Sequence, residues 1–134
     1  MGTFRVPVQI GDPEGQRWET VEALVDTGAT YSLIPRPVLE RLGVFGRFRR
    51  PFALADGRQV ECEMAETRVR LDGETRTTLV IFGEEGAMPL LGAYTLEGFG
   101  LAPDPINRRL ISVPGLLMPV NPLAAGPPPR AGLA

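Results

Sequence analysis

Apolar and polar residues alternate near the start of the chain, so that Phe4, Val6, Val8 and Ile10 share one side of an extended backbone. This predicts a strand over 3–10, and Pro7 on its other face suggests a sheet edge, because proline has no N–H to give a neighbour. "GDPEGQ" (11–16) is turn chemistry, and Val21, Ala23 and Val25 alternate again through 17–25, completing a predicted hairpin. The period then changes. In "PRPVLERLGV" (35–44), Val38, Leu39 and Leu42 form a helical stripe, with proline near the start and Gly43 as the stop. "GRFRRP" (46–51) reads as a basic loop. A second hairpin is predicted over 52–71, turning at Asp56-Gly57, with a long outgoing arm. "DGE" (72–74) is a further turn, "TTLVIF" (77–82) a continuous apolar strand expected to be buried on both faces, and "RRLISV" (108–113) a last strand. Between these two strands, "LLGAYTLEGFGL" predicts a short helix after Gly92. From Pro114 onward prolines accumulate, which predicts a flexible tail over 114–134, although "GLLMPV" within it is apolar enough to dock.

Composition narrows the chemistry more than the class. A chain of 134 residues with 43% hydrophobic content is one domain with a real core. The net charge of -2 gives no reason to expect a nucleic-acid partner, and it favours a solvated reading of the basic loop over a phosphate site. There is no histidine, which removes Ser-His-Asp and Cys-His catalysis and imidazole-based metal sites. Cys62 is the single cysteine, so an internal disulfide and thiolate zinc sites are excluded. As a nucleophile it would lack a histidine to activate it. The remaining hydrolytic chemistries rest on carboxylates, hydroxyls or that thiol.

One stretch stands out, "ALVDTGATYSLIP" (23–35), where an apolar run ends in Asp26-Thr27-Gly28. The plain reading is a turn, with the aspartate bonding nearby amides. The chemical reading makes Asp26 a catalytic carboxylate. Thr27 would then bond across a symmetry axis, and Gly28, lacking a Cβ, would bring its N–H close to the carboxylate. Leu90-Leu91-Gly92, apolar residues and a glycine ahead of a short helix, adds weight at that distance beyond the triplet.

Taken together, "ALVDTGATYSLIP", the Asp56-Gly57 hairpin, "LLG" and "TLEGFGLAPDPINRRL" resemble the retroviral-type (retropepsin-like) aspartic proteases, and in particular their stand-alone bacterial and archaeal relatives. The resemblance runs from about residue 3 to residue 113. It implies an all-β fold with one or two short helices, a single-lobe closed β-barrel active as a two-fold homodimer, with a protease domain over 1–113 and the tail outside it. It assigns catalysis to Asp26, loop support and the grip between subunits to Thr27, Gly28 and Ala29, and packing behind the loop to Leu90, Leu91 and Gly92. A substrate-closing flap tip falls on Leu54, Ala55, Asp56 and Gly57. Two departures stand beside it: Thr30-Tyr31 and Ala93 occupy the places of the viral ion pair, and the tip carries one glycine and a charged Asp56.

An aspartic protease works with two carboxylates sharing one proton, because like charges a few ångström apart do not both ionise. The chain has one such triplet, and Asp12, Asp56, Asp72 and Asp104 all sit in turn-like settings, so the partner carboxylate is expected from a second copy. The expected activity is an aspartic endopeptidase acting on a peptide or protein, with neither cofactor nor metal. The alternative is a peptide-binding or dimerisation module with weak turnover. Leu33, Ile34, Leu54 and Met88 are candidates for hydrophobic subsites or for ordinary core. Without a signal-peptide pattern or an apolar run of membrane length, the chain reads as cytoplasmic, with no membrane partner.

Overall fold

The computed structural model describes residues 3–119. The alternating N-terminal runs form β1 (Arg5–Gly11) and β2 (Trp18–Val25), an antiparallel pair in which Val8 faces Val21 and Val6 faces Ala23. The turn between them is held by Asp12, whose Oδ1 accepts the Gln16 and Arg17 N–H groups at 2.6 and 2.9 Å. After β2 come β3 (Ser32–Pro35), the short helix α1 (Arg36–Arg41), β4 (Phe48–Ala53), β5 (Gln59–Leu71) and β6 (Glu74–Gly83). The chain ends its regular structure with β7 (Leu90–Leu91), α2 (Ala93–Phe99), β8 (Leu101–Asp104) and β9 (Arg109–Ser112).

Neighbouring strands run β1-β2-β7-β3-β6-β5, and β5 returns to β1 at Gln9–Gly11, so the hydrogen-bonded order closes on itself. That return pairing begins only at Gln9, which leaves the outer side of Pro7 free, as its missing N–H requires. Val8, Ile10, Ile34, Leu39, Val80 and Leu91 are buried in the core. Each such side chain contributes roughly 1.5–3 kcal/mol by leaving water. The long strand β5 has two jobs. Met64–Leu71 pairs with β6, whereas Gln59–Glu63 pairs with β4 alone, so the β4–β5 hairpin projects from the ring as two strands.

Three sequence expectations need correction. The basic segment 46–51 is not all loop, because β4 begins at Phe48. Its residues are exposed but for Phe52, so they carry no core periodicity, and cross-strand bonds such as Arg49 Nε to Glu61 Oε1 at 3.2 Å accompany the pairing. The strand through 77–82 is fully buried on one face only: Thr78, Val80 and Phe82 are buried, while Leu79 and Ile81 are half-buried. The short strands β3 and β8 were not anticipated. The two-stranded sheet β8-β9 stands apart from the ring, closed by a turn in which Asp104 accepts the Ile106 and Asn107 N–H groups. Residues 114–119 carry no regular element and are exposed. The rest of the expected tail lies outside the described residues.

Candidate active site

Leu90 and Leu91 place the Asp26 loop. This two-residue strand lies between β2 and β3, parallel to the first (Leu24 with Leu90, Val25 with Leu91) and antiparallel to the second (Leu33 with Leu90). The loop of residues 26–31 therefore leaves one wall of a three-strand slot and re-enters by the other. The Asp26 N–H donates to the Leu91 carbonyl at 3.0 Å, fixing the point where the strand ends and the carboxylate begins.

The far side of the loop is held by α2. A helix start leaves N–H groups without intrahelical partners. Here the Ala93 N–H donates to the Ala29 carbonyl (2.8 Å) and the Tyr94 N–H to the Thr30 carbonyl (2.9 Å). The Gly92 N–H donates to Ser32 Oγ at 3.0 Å. That hydroxyl is 2.7 Å from Thr95 Oγ1, which lies 2.9 Å from Thr78 Oγ1, giving a buried chain of three hydroxyls beneath the loop. Gly92 is glycine because of distance: a Cβ there would stand 2.6 Å from the carbonyl carbon and oxygen of Tyr31 and 2.9 Å from the Ala29 oxygen.

Asp26 is half-buried, and its Oδ1 accepts the Gly28 N–H at 2.9 Å. A Cβ on Gly28 would come within 3.1 Å of that same oxygen, so the residue keeps the approach open. Thr27 and Gly28 are exposed. Asp26, Thr27, Gly28 and Ala29 thus share one loop, with Leu90, Leu91 and Gly92 directly behind it.

The hairpin tip sits apart and makes local bonds. The Gly57 N–H donates to the Leu54 carbonyl (2.9 Å) and the Leu54 N–H to the Arg58 carbonyl (2.7 Å). Gly57 has φ of 89°, as a type I turn followed by a left-handed residue requires. Asp56 accepts from the Arg58 backbone and guanidinium, in that order the causes that hold its carboxyl below the ordinary range. Lower on the hairpin the loop and β4 do meet. Arg50 Nη1 donates to Tyr31 OH at 2.6 Å, the Phe52 ring meets Tyr31 edge-on at 6.1 Å, and Tyr94 of α2 packs on Tyr31 at 5.6 Å. Of the apolar candidates, Ile34 is core at 2% exposure, Leu33 is half-buried, and Leu54 and Met88 are exposed.

Sequence reasoning missed Tyr31, Arg50 and the Ser32–Thr95–Thr78 chain. The alternation of Arg50, Phe52 and Leu54 was a usable signal for one face of the hairpin. Nothing local marks three hydroxyls so distant in sequence as neighbours. Among the described residues no group of three or more acidic or thiol side chains is placed to hold a metal ion, and no helix is long and apolar enough to cross a membrane.

The Asp26 carboxylate is held at a strand end, with a glycine N–H on one oxygen and an apolar strand and helix start behind it. The sequence model of the aspartyl protease family matches residues 6–95, and the chain belongs to that family, in its retropepsin-like kind. The matched span takes in the Asp26 loop, the β4–β5 hairpin and Leu90-Leu91-Gly92. No curated protein matches the chain.

Proposed function

We propose that the protein is an aspartic endopeptidase whose active unit is a two-fold homodimer, with the Asp26 carboxylates of the two copies side by side on the axis. The observation that carries this reading is a half-site. One oxygen of Asp26 is oriented by the Gly28 N–H, and no second carboxylate is supplied by the same loop. Thr27 is exposed and so open to a partner loop, and exposed Leu116, Leu117 and Met118 add apolar surface that a partner would cover.

In the dimer the pair holds one proton. The ionised carboxylate takes a proton from a water molecule as the water oxygen attacks the scissile carbonyl carbon. The protonated carboxylate gives its proton to the carbonyl oxygen. Collapse of the tetrahedral carbon then breaks the C–N bond: the amine leaves with the proton that the first carboxylate took from water, one hydroxyl returns its proton to the second carboxylate, and the acid product keeps the water oxygen. The ring of strands serves as a closed barrel holding the loop, and the β4–β5 hairpin, tipped by Leu54–Gly57, closes over an extended peptide as a flap. Residues 1–113 form the protease domain, with 114–134 a tail outside it.

The test is hydrolysis of a denatured protein by wild type and by Asp26→Asn. Wild type should produce new amino termini and the variant none, because an amide on both subunits leaves no base for water. Cleavage by the Asn variant would overturn the mechanism. Peptide binding without turnover in wild type would leave a peptide-binding module in its place.

A further inference from the structure

Across the hairpin, directly paired residues share a face. Arg50 pairs with Cys62 and Phe52 with Val60, so these four and Leu54 lie on one side, while Arg49, Pro51, Glu61 and Glu63 lie on the other. The first side is the one turned to the Asp26 loop, because Arg50 and Phe52 both touch Tyr31. It is apolar apart from one guanidinium.

The charge of Arg50 is uncompensated among the described residues. Each carboxylate on the projecting part of the hairpin, between Phe48 and Glu63, already serves another arginine: Glu61 bonds Arg49, Glu63 bonds Arg36 and Asp56 bonds Arg58. Arg50 instead lies 5.4 Å from the Tyr31 ring centre and 5.6 Å from that of Phe52, with one N–H on the Tyr31 hydroxyl. The Tyr31 hydroxyl and the two rings hold the guanidinium in place, and the remaining N–H donors stay available at an exposed position. A planar, preoriented fork of donors matches a carboxylate.

Building on the proposed endopeptidase reading, we propose that Arg50 is a substrate-binding residue that selects peptides with an acidic side chain flanking the scissile bond. Phe52, Leu54 and Val60 take the apolar side chains nearer the tip. Tyr31 orients Arg50 and ties its position to the catalytic loop.

The probe is a set of synthetic peptides with one apolar core sequence and Glu, Gln or Lys at each flanking position in turn. It is assayed at low ionic strength and at a pH above about 4.3, where Glu is ionised. Two readouts are taken: kcat/KM with wild type, and Kd with Asp26→Asn, which holds peptide without cutting it. At one position Glu should be favoured over Gln by about tenfold, the worth of a hydrogen bond to a charged group. The preference should fade with added salt, vanish in Arg50→Met, persist in part in Arg50→Lys, and turn toward a Lys peptide in Arg50→Glu. Equal handling of Glu and Gln at every position by wild type would overturn the proposal, as would a preference that survives Arg50→Met. Cleavage without any acidic preference removes this inference and leaves the endopeptidase reading. An acidic preference in binding without cleavage by wild type does the reverse, and a failure to bind or cut any peptide overturns both.

Discussion

At the scale of single residues, the site depends on two glycines for opposite reasons. Gly92 is fixed by space: its missing Cβ lets α2 start against the carbonyls of Ala29 and Tyr31, and the atoms in the way are backbone. Gly57 is fixed by its positive φ alone, since a Cβ there would meet nothing within 4 Å. Gly92→Ala must therefore move the Asp26 loop or the helix, and should cost about 3 kcal/mol, the upper range of overpacking. Gly57→Ala should cost about 1 kcal/mol, the penalty of left-handed backbone. Urea unfolding of the two variants checks the contrast, and equal losses would mean that the loop relaxes away from Gly92 freely. The sequence marked Gly92 as important by its neighbours but gave no reason for glycine. The reason lies in backbone distant in sequence that only the folded loop brings near.

At the scale of elements, the hairpin and the catalytic loop were legible to different degrees. The Asp56-Gly57 turn and both its strands were readable because turn chemistry is local. The start of β4 at Phe48 was not, because Phe48–Pro51 are all exposed and pair with β5 rather than with the core. The four-residue strand β3 was hidden for another reason: Leu33 and Ile34 between Ser32 and Pro35 are too few to set a period. What locks these elements together, the Arg50–Tyr31 bond and the buried hydroxyls, leaves no periodic trace at all. On the tip side of Met64 the hairpin has no third strand and its tip is exposed; on the proposed reading it is a moving cover rather than scaffold. Gly57→Val should then reduce kcat/KM by more than tenfold while lowering the melting temperature by only a few degrees, since the strain is confined to a tip that supports nothing else. Parallel loss of activity and stability would mark the hairpin as plain structure.

At the scale of the whole molecule, the Asp26 loop carries a single carboxylate, so on the proposed two-copy reading activity and assembly should be inseparable. Specific activity should fall on dilution as dimers separate, and sedimentation should show Asp26→Asn still pairing, because two neutral amides face each other without the charge the carboxylate pair holds. On the proposed mechanism turnover needs one ionised and one protonated carboxylate, so the pH profile should be bell-shaped and centred on the acidic side of neutral. Its basic limb, where the shared proton is lost, must be told apart from unfolding, and three other carboxylates make that possible. The Arg17 N–H foremost, helped by that of Gln16, holds Asp12 below the ordinary range against the opposing effect of burial. Arg58 does the same for Asp56, and the Asn107 side chain and backbone for Asp104. A carboxyl lowered by folding stabilises the protein above its unfolded value, here 3.8, and that stability is lost as pH falls through the lower folded value. Circular dichroism should accordingly stay level above about pH 4 and decline only below it, while activity falls with rising pH inside that level region. Two curves that fall together as pH rises would assign the basic limb to unfolding. A basic limb set apart from the unfolding curve, together with dependence on protein concentration, would trace the activity to a pair of carboxylates formed between copies.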